Sequence, residues 1–160
     1  MEAVNLESLN QRLRKLEDIE DIRRLRMQYH YLLNENLWER FPEIFTEDAL
    51  VDFGSIGRAK GTAEIRELYL KIPKNLDLVK QFIHNHMVDV NGDDATGLSY
   101  LDARYARAGE SVIVAAKFTE KYRRTPKGWK ISECLVHVFF GVPITEGWAS
   151  KNLHQVAAFK

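Results

Sequence analysis

Gln81-Phe-Ile-His-Asn-His-Met-Val-Asp-Val-Asn-Gly-Asp93 decides the fold class. Phe82, His84, His86, Val88 and Val90 alternate with Ile83, Asn85, Met87 and Asp89, and a period of two belongs to a strand. Asn91-Gly92-Asp93 then supplies the chemistry of a tight turn. Three further runs rich in strand formers follow, Ala95–Ala106, Ser111–Arg123 and Trp129–Val142. Ala108-Gly109 and Thr125-Pro126-Lys127-Gly128 separate them. Long consecutive strands joined by short turns make an antiparallel meander.

Upstream of Pro73 the period is helical. From Leu6 onward Leu9, Leu13, Leu16, Ile19, Ile22, Leu25, Tyr29 and Leu32 recur every three or four residues, the mark of one long amphipathic helix with a bend expected at Asp18. Trp38, Phe41, Ile44 and Phe45 predict a short second helix that tolerates Pro42 in its first turn. Ala49–Phe53 reads as a strand, and Thr62–Ile72 as a third helix stopped by Pro73. Helices first and a curved meander second predict a two-layer α+β domain, a cone-shaped mixed or antiparallel sheet wrapped around the N-terminal helix. A few helices cannot fill such a cone, so a cavity is expected. A single domain over 1–160 is expected, with its core at about 10–143 and a C-terminal extension over 144–160. Trp148, Leu153, Val156 and Phe159 of that extension are expected to cover the cavity mouth or a neighbouring copy.

Of the 160 residues, 23 are Lys or Arg and 23 are Asp or Glu, so the formal net charge is zero. That balance removes the basic footprint a nucleic-acid binder needs. The densest basic run, Lys121-Tyr122-Arg123-Arg124, is short and sits beside Glu120. Cys134 is the only cysteine, which excludes an internal disulfide and a thiolate zinc site. No apolar run approaches the ~20 residues that span a bilayer, and the N-terminus lacks a signal pattern. A cytoplasmic protein meeting neither membrane nor nucleic acid is the expectation. No group of His, Asp and Glu has ligand spacing, and the Gly57/Gly61 loop lacks a phosphate cradle, so neither a metal nor a nucleotide is expected.

The stretch Leu16–Leu25, then Tyr29, Asn34, Leu37-Trp38 and Phe45–Ala49, resembles the opening of SnoaL-like members of the nuclear-transport-factor-2-like (NTF2-like) superfamily. The Gly57–Gly61 loop, the strand and turn Val88–Thr96, and Tyr122-Arg-Arg with Gly128–Ile131 are similar to later parts of the same family. The branch these residues resemble most contains scytalone dehydratase, bile-acid 7α-dehydratase and hexachlorocyclohexane dehydrochlorinase, and Ser111–Arg124 is especially similar to the last. The resemblance implies a cystatin-like α+β barrel and a cofactor-independent elimination of water or HCl from a ring. It also implies a cavity histidine on a strand acting as base, oriented by an aspartate near the end of the long helix, with a tyrosine of that helix facing the same cavity. Residue by residue, the histidine falls on His84, the tyrosine on Tyr29 and the aspartate on Asn34. Asn34 is a departure: it carries no charge to hold an imidazolium, though it can hydrogen-bond a ring nitrogen.

Each of these residues also has a plainer reading. A histidine on an apolar face is more often a satisfied core residue, Tyr29 continues the helix stripe, and Asn34 suits a helix C-cap. His86, Phe82, His137 and Phe139 are expected to line the cavity. Trp38 is a lining residue or a core anchor. Asp102 is a site residue or a surface partner of Arg104. The expected function is a lyase or isomerase acting on a hydrophobic cyclic small molecule. The alternatives are a polyketide cyclase and a non-catalytic binding or protein-partner domain. A homotrimer or homodimer is expected, because Leu98, Tyr100, Val112 and Val114 are read onto the outward sheet face and because the resemblance implies one.

Overall fold

Asn5 caps the first helix through its side-chain oxygen, which accepts the Glu7 N–H at 3.0 Å. In a computed structural model describing residues 5–149, that helix, α1, runs unbroken over Leu6–Asn34. The helix is not interrupted at Asp18, which does not cap a second half. Asp18 instead accepts from Trp129 Nε1 at 3.0 Å and from Arg124 Nη2 at 2.7 Å, tying the middle of α1 to the sheet. The apolar stripe divides there: Ile22, Leu25, Tyr29, Leu32 and Leu33 are buried, whereas Leu6, Leu9, Leu13 and Leu16 are exposed.

A 3-10 helix over Trp38–Ile44 follows, then β1 (Phe45–Asp52), β2 (Arg58–Lys60) and α2 (Gly61–Asn75). Pro73 lies inside the last turn of α2, so the helix passes the residue expected to end it; Leu76 N–H closes it on Ile72 O at 3.0 Å. β3 (Leu78–Asn91), β4 (Asp94–Arg107), β5 (Glu110–Thr125) and β6 (Gly128–Pro143) form the meander. β1 joins it parallel to β6, giving the order β2-β1-β6-β5-β4-β3. The sheet is curved and mixed, and its edge strands do not pair, so the expected barrel is an open cone. α1 packs along β3, and α2 covers β1.

Two of the three register shifts in the meander decide where the expected site residues point. In β3 the register runs His84↔Tyr100 and then Met87↔Leu98, so Asn85 and His86 together oppose Ser99, with Asn85 at φ 52°. An extra residue flips the alternation. Val79, Gln81 and Ile83 face inward before the bulge; His86, Val88 and Val90 face inward after it. Phe82 and His84, expected on the inner face with His86, therefore point outward, and both are exposed. A second shift places Lys121 opposite Glu133 and Tyr122 opposite Ile131. It puts Trp129, Ile131, Cys134, Val136 and Val138 inward, and turns His137 and Phe139 to the outer face. Val112 and Val114, read as outward, are buried core residues.

Candidate active site

Between the C-terminal halves of α1 and α2 and the concave sheet lies a cavity of about 90 Å³. Its walls are apolar, built from Leu33, Phe53, Leu101, Val114, Phe118 and Val136 among others; the polar groups that line it are Tyr29, Gln81, Tyr105 and Arg107. Tyr29 enters because it continues the buried stripe of α1. Its hydroxyl accepts from Tyr69 Oη, on α2, at 3.0 Å, and burial pushes its phenol well above the ordinary tyrosine range. Tyr29 therefore stays protonated and acts as a donor, not as a base.

Asn34 does not meet a histidine. Its Oδ1 accepts the Gln81 N–H at 2.8 Å and its Nδ2 donates to Gln81 O at 2.8 Å, so the last residue of α1 clips the β3 backbone at one position. The Asn34 carbonyl also receives Lys80 Nζ. The inward side chain beside this clip is Gln81, whose Oε1 is buried without a hydrogen-bond partner. Sequence reasoning passed over Gln81, because its inward direction depends on a bulge that no periodicity announces.

The remaining expected residues lie elsewhere. His84 sits opposite Tyr100 on the outer face, and His137 stands beside Phe139 there, with ring centroids 5.4 Å apart. Phe139 stacks on Tyr100 at 6.2 Å. Asp102 receives Arg104 Nη2 at 3.1 Å on the same outer face, because β4 alternates and its neighbour Ala103 takes the cavity position. Trp38 is buried and stacks on Phe41 at 6.1 Å; it anchors the core outside the cavity lining.

One residue layer beyond Tyr29 and Phe118, the interior becomes polar. Arg26 is fully buried, with Nη1 2.9 Å from Glu120 Oε1 and Cζ 3.8 Å and 4.3 Å from the ring centroids of Phe118 and Tyr29. The contact with Glu120 is close but not aligned as a hydrogen bond, so the pair is chiefly electrostatic. Burial raises the Glu120 carboxyl and Arg26 opposes it; burial alone would lower the Arg26 guanidinium, but Glu120 leaves it above its ordinary value.

Tyr122 donates to Glu120 Oε2 at 2.8 Å, which assigns the proton between Tyr122 Oη and His86 Nε2, 3.2 Å apart, to the imidazole. Gly97 makes this meeting possible: a Cβ there would stand 2.8 Å from Tyr122 Cε2 and 2.9 Å from His86 Nε2. Burial, then the Arg26 charge, lowers His86 to about 4 and His30 to about 2, so both rings are neutral near pH 7. The sequence carried a signal for this layer. Arg26 breaks an apolar helix stripe, and Glu120 falls between Phe118 and Tyr122 at inward spacing.

Similar solved structures share this architecture. An NTF2-like protein with a cystatin-like fold from Novosphingobium aromaticivorans is 27% identical, covering 96% of this chain and 99% of its own, at TM-score 0.76. A candidate scytalone dehydratase from that organism is 19% identical over 89% of this chain and 92% of its own, at TM-score 0.74. Hexachlorocyclohexane dehydrochlorinase LinA-type3 from Novosphingobium barchaimii LL02 is 20% identical over 91% and 97%, at TM-score 0.72. At those identities the last two show a common fold. The model of the family described as SnoaL-like domain matches residues 14–134, most of the chain, and the chain belongs to that family.

Proposed function

We propose that this protein is a cofactor-independent lyase or isomerase-type enzyme that acts on a small hydrophobic cyclic molecule held in the Tyr29 cavity. The observation that carries the reading is the Tyr69–Tyr29 hydrogen bond. Tyr29 accepts from Tyr69, which leaves its own O–H to donate to a ligand oxygen in an otherwise apolar space. Such a donor polarises a carbonyl or a departing oxygen without carrying charge. The names of two structural relatives, a dehydratase and a dehydrochlorinase, agree with an elimination.

Among the described residues no histidine, aspartate or glutamate lines the cavity, and this favours a second reading, a ligand-binding domain without turnover. Hydroxylated and halogenated alicyclic rings, incubated with the protein and followed by mass spectrometry, separate the two. Loss of water or hydrogen halide that disappears in Tyr29→Phe supports the enzyme. Rings that bind with no product at any enzyme concentration leave the binding domain.

A homodimer or homotrimer is part of the same proposal. Phe82, Met87, Tyr100 and Phe139 expose 48, 56, 42 and 39% of their surface on the sheet side of the lone chain, and the leucines of the first half of α1 add a second apolar strip.

A further inference from the structure

The cavity wall contains one buried acceptor with nothing to accept. Gln81 Oε1 is buried and has no donor within the protein, while the Gln81 backbone is fixed by both atoms of the Asn34 amide at 2.8 Å. The clip fixes the backbone of Gln81, and strand alternation keeps its side chain on the inward face with Val79 and Ile83. Leaving such a group unpaired costs free energy that a ligand donor would restore. Tyr29 supplies the complementary half, a phenol whose proton Tyr69 leaves free. Arg107 and Tyr105 also line the cavity, but they lie toward the end of β4, in its half-buried outer part.

We propose that Gln81 is a specificity-determining residue that, with Tyr29, selects rings bearing a hydroxyl group over rings bearing a ketone, a halogen or no polar atom. A hydroxyl both accepts from Tyr29 and donates to Gln81 Oε1. A ketone satisfies Tyr29 alone and leaves the Gln81 oxygen unpaired; a halogen satisfies neither well. Asn34 acts here as a positioning residue through the Gln81 backbone. The inference rests on the Tyr29 cavity being the ligand site.

The test uses three probes of similar size, cyclohexanol, cyclohexanone and methylcyclohexane, titrated into the full-length protein and followed through the backbone amides of Leu101 and Val114. Cyclohexanol is expected to bind at least about fivefold more tightly than cyclohexanone, the low end of the cost of one unpaired buried polar group. In Gln81→Met, which keeps length and removes the acceptor, that preference is expected to fall below about twofold while methylcyclohexane binds as well or better. Equal affinity for alcohol and ketone in the unaltered protein overturns the inference, as does a preference that survives Gln81→Met. Should Gln81→Met fail to fold, the alcohol-to-ketone ratio of the unaltered protein decides alone. Binding of all three probes at one affinity removes the selectivity and leaves the cavity reading standing, whereas no shift with any probe removes both.

Discussion

Replacing Glu120 by Gln keeps the shape of the side chain and its hydrogen bond with Tyr122, but strands the Arg26 charge in a site where neither residue is exposed. Breaking one half of a buried ion pair costs about 3–5 kcal/mol, because the remaining charge has no water to return to. Here the remaining compensation is two aromatic faces at 3.8 and 4.3 Å, worth about 1–2 kcal/mol together, and these contacts exist before and after the change. The loss should therefore stay near the full range. It is a large share of the ~5–15 kcal/mol that holds a domain folded, and it corresponds to a fall in melting temperature of about 6–20 °C at this chain length. Removing both charges together, as in Arg26→Met with Glu120→Leu, should recover most of the loss, since an apolar pair of similar volume asks for no desolvation. Urea denaturation of the two single variants and the double variant measures the coupling. A Glu120→Gln loss below about 1 kcal/mol, or a double variant no better than the worse single one, refutes the claim that Arg26 is paid for by Glu120.

The buried histidines predict a pH dependence. An unfolded imidazole takes a proton near pH ~6.5, whereas folded His86 resists until about 4 and His30 until about 2, so stability should fall as pH drops below that value, His86 alone contributing at most about 3 kcal/mol. His86→Gln should roughly halve the slope between about pH 4 and 6.5, the rest being carried by His30, and a profile unchanged by it would place the titration elsewhere. Gly97→Ala should cost about 1–3 kcal/mol by forcing a methyl against Tyr122 and His86, and combining it with His86→Ala should return part of that loss; equilibrium denaturation reads both. Asn34→Ala should lose about 1–3 kcal/mol with the two Gln81 bonds, and hydrogen exchange at the Gln81 amide should quicken. Sedimentation at micromolar concentration should show a species two or three times 18.6 kDa, and a lone 18.6 kDa species would count against the oligomer.

The helices and the meander follow from periodicity because burial repeats every three or four residues in one and every second residue in the other. That is why α1, α2 and β3 to β6 were readable to within a few residues. The site was readable only where no bulge intervened. Tyr29 lies on an uninterrupted helix stripe, so its direction follows from its neighbours. His84 lies one residue before Asn85, the left-handed residue at which β3 gains its extra unit, and a slip of one reverses every side chain on one side of it. The same event near Ser132 turned His137 and Phe139 outward. Asparagine tolerates positive φ better than its neighbours do, so Asn85 between two histidines was the available clue. Asn34 shows a further limit. Its match to a catalytic position is a statement about sequence, and only the fold shows that both its polar atoms are spent on a backbone.

The polar groups that line the cavity are two phenols, an amide and a guanidinium, and this chemistry predicts how binding responds to pH. Burial raises both Tyr29 and Tyr105, the latter with help from Glu110, above the ordinary phenol value of about 10. Gln81 never titrates, and arginine stays charged throughout. None of these groups changes charge between about pH 6 and 9. The affinity of an uncharged ring such as cyclohexanol should therefore be flat over that range, even while the stability of the protein falls at its acid end through His86. The two dependences separate because the histidines sit one layer behind Tyr29 and Phe118, where they report on folding and not on the ligand. Isothermal titration across the range measures it directly. An inflection near neutral pH would mean that an imidazole reaches the ligand, and would return the base role to a histidine inside the cone.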